Sequence, residues 1–578
     1  TVHKLVIHRG GQTIDVLASG QTFTVLRRET NLDNAMLDGV LTANIQPEGL
    51  QVGDIVELAM SIRSSDPVLK GHVEEFMAAW NVAPVTRAHL RVRWPQDLPL
   101  KLRETTGLPP LAPVAGPDGD TLELTLDDLQ PMIAPKGAPT RYAIGRRIEA
   151  SDFKSWADVG ALMAPLFAKA AVVPAQGPLR GELEKIRALS PDAKTRAEAA
   201  LALVQERVRY VALVMGQGGL TPADAETTWA RRFGDCKAKT ALLLALLHEL
   251  GIQAEAVAVN TTNGDGIDAR LPMIGLFDHV LVRATIGGKT YWLDGTAAGD
   301  TNLDRLEVPN YGWGLPLTAT GASLVRMLPP PLQTPSEVLS IQIDASAGIS
   351  LPAPAHVDLV FDRGGATAMN VSLSQLDAQA RDRALKAYWR TQFDFIDISS
   401  VGAAFDAKTG EERLTMDGVA HMDWSTGYYQ TDDMALGYKP DFVRDPGSDQ
   451  DAPYAVDYPT FTRTTETIIL PPGFPVSPAW VKSDTDLTVA GMEYHRHSSL
   501  QGHAVVLDKT ERSIEPEFPA KDAPAAAEIL RGLADKTVVI RKPQNYQPAP
   551  KEVQRSMPAD PKTPADFIAR AGVMINAL

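Results

Sequence analysis

The chain has 578 residues, 44% of them hydrophobic and 22% charged, and that length suggests about three or four domains rather than one core. A formal net charge of −15, with no clustered Lys and Arg, argues against nucleic acid as a partner. No apolar run approaches the roughly 18–20 residues that span a bilayer, and a single cysteine excludes an internal disulfide.

Residues 1–150 read as a β-rich domain. Short apolar runs at Val2–Ile7, Phe23–Leu26, Ile55–Met60 and His89–Val92 are separated by turn residues such as Gly10-Gly11 and Gly53-Asp54. The strand pattern starts at the first residue. We therefore expect a natural chain that extends upstream of Thr1 and is exported, to the periplasm or cell envelope.

The pattern changes near residue 150, opening a core expected over 151–328. Ser151–Ala170 places Trp156, Val159, Leu162, Met163 and Phe167 at helical spacing, and a second helix follows Pro191. Next comes Gly234-Asp235-Cys236-Lys237, leading into Ala238–Leu250. That run is apolar nearly all round, as a buried helix must be, and Gly251 stands where a C-terminal glycine cap belongs. Ile252–Asn260 alternates like a strand. Thr261–Asp278 is a long connection, polar in its first half, that suggests function or mobility. His279–Ile286 and Lys289–Asp294 then form strands joined by Gly287-Gly288, a two-residue hairpin signal. Pro329-Pro330-Pro331 marks a stiff boundary. Residues 336–542 return to strands, with one helix expected around Gln375–Phe393. The tail, 543–578, opens Pro-rich and ends in a helical pattern at Ala565–Leu578.

Cys236 stands at the first turn of the buried helix. Free N–H groups and the positive end of the helix dipole converge there and favour negative charge on sulfur. The same N–H groups can stabilise an oxyanion on an attacked carbonyl. A lone cysteine is more often a small buried hydrophobe; its place after Gly-Asp, at a helix start, points to a nucleophile instead. If Gly287-Gly288 is the turn, Ile286 pairs with Lys289 and Asp294 falls opposite Leu281. His279 and Asp294 are then diagonal neighbours on one face, roughly 7 Å apart at the backbone. An aspartate so placed can accept the imidazole N–H and orient the ring. Taken singly, His279 could be a solvated strand residue and Asp294 a turn residue before Gly295.

The stretch Tyr210–Asp294 resembles the transglutaminase-like superfamily of bacterial proteins. The similar segments are Arg232-Phe233-Gly234-Asp235-Cys236-Lys237, His248-Glu249-Leu250-Gly251-Ile252, Asp278-His279-Val280 and Tyr291-Trp292-Leu293-Asp294. The resemblance implies a catalytic triad of Cys236, His279 and Asp294. It also implies an α+β fold, a papain-like core between β-rich, sandwich-like N- and C-terminal domains. Arg27-Arg28-Glu29, Gly53-Asp54 and Trp94-Pro95 resemble the domain of unknown function that precedes this core in many exported proteins. Relatives often read Gly-Asp-Cys-Lys-Asp-Lys, whereas Ala238 here removes an acidic group from the first helical turn.

The expected activity is a thiol-dependent hydrolase, a peptidase or amidase, acting on an amide or ester carbonyl through a thioester, with a peptide, protein or cell-wall amide as substrate. A transamidase, or a non-catalytic envelope scaffold with a degenerate site, are the alternatives. No cofactor or metal is called for. His495 and His497 share a strand face but lack a third ligand. Gly216-Gln217-Gly218-Gly219 lacks the rest of a phosphate loop; Gln217 is a candidate second oxyanion donor, with a plain turn the commoner reading. Asp127-Asp128 reads as a solvated pair.

Overall fold

A computed structural model describes residues 1–27, 36–37, 39, 41–77, 80–213, 219–299, 301–431, 433–476 and 484–547. Arg28, Glu29, the Gly216-Gln217-Gly218 segment and the tail pattern at 565–578 lie outside the described residues.

The N-terminal part is built from short sheets. Val2–Arg9 is the middle of three strands, between Gln12–Asp15 and Ile55–Met60. Gly10 and Gly11, at φ 51° and 85°, make the turn that pairs Arg9 with Gln12, a backbone that side chains with a Cβ rarely adopt. His89–Val92 lies inside the strand Val85–Trp94, which pairs with Gly119–Leu129. A further sheet places Ile148–Ser151, buried throughout, between Glu74–Met77 and Lys101–Glu104.

The helices begin with α1 (Trp156–Ala170), whose N-cap is Ser155; the four residues before it follow the strand and do not extend the helix. Then come α2 (Pro178–Leu189), α3 (Ala193–Arg207), α4 (Ala225–Arg231) and α5 (Cys236–Glu249). Helix α5 packs against a five-stranded sheet whose order is Lys289–Leu293, His279–Ile286, Gln253–Val259, Gly312–Pro316 and Val325–Met327. Leu242, Leu243, Leu244, Leu246 and Leu247 of α5 are all buried. At about 2 kcal/mol for each leucine, their burial outweighs any cap, so burial sets where the helix lies and the cap sets where it starts.

The connection 261–278 is not loose. Asn260 Oδ1 accepts the N–H groups of Thr262 and Asn263, and its Nδ2 donates to the Leu276 carbonyl. Ile267, Met273, Ile274 and Leu276 are buried. Apolar residues in its second half, which the polar first half masks in the sequence, fasten it down.

The C-terminal part centres on an eight-stranded sheet, from Ile396–Asp406 at one edge to Thr485–Val489 at the other. Its central pair, Glu337–Asp344 and Phe461–Ile469, is parallel. A helix not expected from the sequence, α6 (Arg363–Ser374), precedes α7 (Ala378–Gln392), which is the helix expected around Gln375–Phe393. They cover one half of the sheet around Trp389, Leu359 and Met416. The other half is covered by the pair Tyr428–Thr431 and Val538–Arg541, and by α8 (Ala523–Ala534). The sandwich-like expectation thus meets a sheet faced largely by helices. No helix among the described residues is long and apolar enough to cross a membrane.

Candidate active site

Helix α5 starts where it does because Asp235 caps it: Oδ1 accepts the Ala238 N–H at 2.9 Å, and Oδ2 meets Lys237 Nζ at 2.5 Å. Gly234 makes the approach possible, since a Cβ there would lie 2.8 Å from that of Ala238 and 3.1 Å from Thr228 Cγ2. The strand pair Arg209–Tyr210 and Phe233–Gly234 leads the chain into the cap. Cys236 is therefore the first residue of the helix, 7% exposed. By position, the N–H groups of Cys236 and Lys237 have no partner within the helix.

The hairpin register runs from Ile286↔Lys289 to Val282↔Leu293, with Gly287 and Gly288 at φ 58° and 80°. Asp294 follows directly after the strand. His279 Nε2 and Asp294 Oδ2 are 2.8 Å apart, which leaves Nδ1 as the nitrogen available to the sulfur. Burial disfavours charge on His279. The hydrogen bond to Asp294 and the contact with Cys236 outweigh it and raise the imidazole pKa to about 10. Burial likewise works against ionised Asp294, but its bonds to His279 and Thr296 hold it below the usual carboxylate range. The shift favours the protonated ring, held between the sulfur and a carboxylate.

Sequence reading missed the residues that brace this group. Thr296 donates from N (2.8 Å) and Oγ1 (2.7 Å) to Asp294 Oδ1; the Asp-Gly-Thr run is a legible Asx turn. Gln205 Nε2 holds the Asp294 carbonyl, and Thr240 Oγ1 ties α5 to the Val280 carbonyl. Neither leaves a sequence signal. Burial, with Cys236, Asp235 and Asp294 nearby, pushes the Tyr210 phenol up to about 12.

A cavity of about 90 Å³ opens beside the thiol. Cys236, His279 and Asp278 share its lining with Met163, Phe167 and Phe277. Away from this cluster, His495 and His497 each stand beside an aspartate, Asp486 and Asp484. No group of three or more His, Cys, Asp or Glu among the described residues could hold a metal. Asp127 pairs with Arg87 at 2.6 Å.

Residues 1–133 match the family model of a domain of unknown function with a solved structure, DUF3857. The fold is similar, at TM-score 0.54 and 12% identity, to the crystal structure of "a putative protease" from Parabacteroides distasonis, over 93% of this chain and 88% of that one. A structure of "a putative cysteine protease" from Cytophaga hutchinsonii aligns at TM-score 0.15 and 13% identity, over 39% of this chain and 79% of that one. No curated protein matches the sequence.

Proposed function

We propose that the chain is a thiol-dependent hydrolase, a peptidase or amidase, with Cys236 as nucleophile, His279 as acid and base, and Asp294 orienting the ring. The carrying observation is the 2.8 Å bond between His279 and Asp294, on a histidine that also contacts the one cysteine, at a helix start. The succession of a thiol-bearing helix, a histidine-bearing strand and an aspartate at a strand end supports a papain-like core of the transglutaminase type. The fold-level likeness to a solved structure is in keeping with that reading.

In this mechanism the Cys236 thiol proton passes to His279 as Sγ bonds to the substrate carbonyl carbon. The oxyanion forms against the N–H groups of Cys236 and Lys237. As the C–N bond breaks, the His279 imidazolium passes its proton to the leaving nitrogen, and the amine departs. Neutral His279 then takes a proton from water as the oxygen attacks the thioester. The C–S bond breaks, the acid leaves, and His279 returns its proton to the sulfur. The apolar lining of the cavity suits an acyl group with a small apolar substituent.

The test is mass spectrometry of products after incubation with peptides and cell-wall fragments. Cleavage at an amide that disappears in Cys236→Ala is the expected result. Full turnover in that variant would overturn the proposal.

A further inference from the structure

The segment just before His279 is gripped by the N-terminal sheet. Glu74 accepts the N–H groups of Ile274 at 2.7 Å and Gly275 at 2.9 Å. Ser151 Oγ donates to the Pro272 carbonyl at 2.6 Å. Glu149, 0% exposed, accepts Arg270 Nε at 2.5 Å and the Leu271 N–H at 3.2 Å, while Arg103 reaches its Oε2 from the neighbouring strand at 3.3 Å. These acceptors and donors belong to one sheet, Glu74–Met77, Ile148–Ser151 and Lys101–Glu104. The gripped residues lead straight into the cleft: Ile274, Phe277, Asp278 and His279 all line the thiol cavity.

Glu74 is a costly way to fasten a loop. It is half-buried, and Asp152 and Asp66 lie close enough to oppose its charge. What a carboxylate supplies, and an amide or hydroxyl cannot, is two acceptor oxygens for two successive backbone N–H groups. Gly275 is matched to it, because a Cβ there would lie 3.0 Å from Glu74 Oε1. The pairing fixes the direction of the turn Ile274–Leu276, and with it the place of Phe277.

We propose that the N-terminal sheet is a positioning element of the thiol site, and that Glu74 is the positioning residue that sets the cleft wall 274–277. The importance of that wall rests on the thiol reading above; the strut itself does not. Glu74 touches no reacting atom and carries no proton in the reaction.

The experiment uses the full chain, as wild type, Glu74→Gln and Gly275→Ala. Gln offers an N–H₂ where one backbone N–H needs an acceptor, and Ala at 275 pushes the carboxylate away from the other side. Amide hydrogen exchange over 274–277 is read first, and should quicken about tenfold or more in both variants. Cys236 is then alkylated with iodoacetamide and with benzyloxycarbonyl-phenylalanyl chloromethyl ketone, each forming an S–C bond with loss of halide. Iodoacetamide needs no wall, so its rate should stay within about twofold, while the bulky apolar probe should slow by about fivefold or more. Unchanged exchange in both variants would overturn the strut, as would equal slowing with both probes. If wild-type Cys236 reacts with neither probe faster than glutathione does, the thiol reading fails, and exchange alone decides the strut.

Discussion

Lys239 lies one turn beyond Cys236, 2% exposed, with Nζ donating to the Val208 carbonyl at 2.5 Å. Burial, partly offset by Asp294, brings its pKa down from 10.5 to about 8. Between those values the unfolded chain binds a proton there and the folded chain does not, so stability rises with pH in that window. The shift corresponds to roughly 3 kcal/mol, withheld below about pH 8 and regained by about 10.5. Lys239→Met keeps the volume and removes the titration. Its advantage over wild type in urea unfolding should therefore be larger at pH 7.5 than at pH 10 by about 2–3 kcal/mol. A pH-independent difference would refute the buried-lysine account. At this scale the sequence is legible where a side chain's role follows from a local element. Cys236 opens a helix, and His279 and Asp294 stand at hairpin positions that alternation and turn length relate, and the structure brings the three together. Lys239, Gln205 and Glu74 act through contacts distant in the chain, which no local spacing encodes.

Helix α5 joins both kinds of information. Its apolar run and the Gly251 end, at φ 75°, are readable in the sequence, and so is its start, because Asp235 precedes the thiol. Asp235→Ala should lower stability by about 1 kcal/mol, measured by urea unfolding. It should also fray the first turn, which carries Cys236. An unchanged midpoint would mean that packing of the leucines alone sets the helix start. The shorter helices were harder to read. Leu179, Leu183 and Ile186 of α2 do fall at helical spacing, but Gly181 interrupts the run. The seven residues of α4 give too little periodicity to find, despite the Asp224 cap. Helix α6 carries Gly364-Gly365 in its first turn, a turn signal, and is held helical by the Asp362 cap and by packing over Ala366 and Leu373. The connection 261–278 misleads in the same way, since its anchor is a sheet more than a hundred residues upstream.

All three parts of the molecule meet beside the cleft. Arg141 from the N-terminal part pairs with Asp265 of the connection and Glu517 of the C-terminal part, each at 2.8 Å. Together with Trp313 and Arg326 they line a cavity of about 590 Å³. Thr261 lines it too, and its N–H and Oγ1 donate to Asp278, which lines the thiol cleft. Such an assembly is invisible to local sequence patterns, because its ion pairs join residues 124 and 376 positions apart in the chain. It bears on what would resolve the proposed acyl-enzyme. Amine transfer needs walls that exclude water while admitting a second substrate, and aromatic side chains are the natural material. Phe167 and Phe277 line the thiol cavity, but Trp229 is 2% exposed with Arg232 over its ring and Trp292 packs against Leu281 and Met327, so neither tryptophan adds a second wall. A wide cavity of mixed lining beside the cleft leaves room for water instead. Hydrolysis should therefore outweigh transfer. An acyl donor is offered with and without millimolar primary amine, and both products are measured. Acid as the main product in both cases is expected. If the amide dominates when amine is present, the hydrolase assignment is wrong and the transamidase reading takes its place.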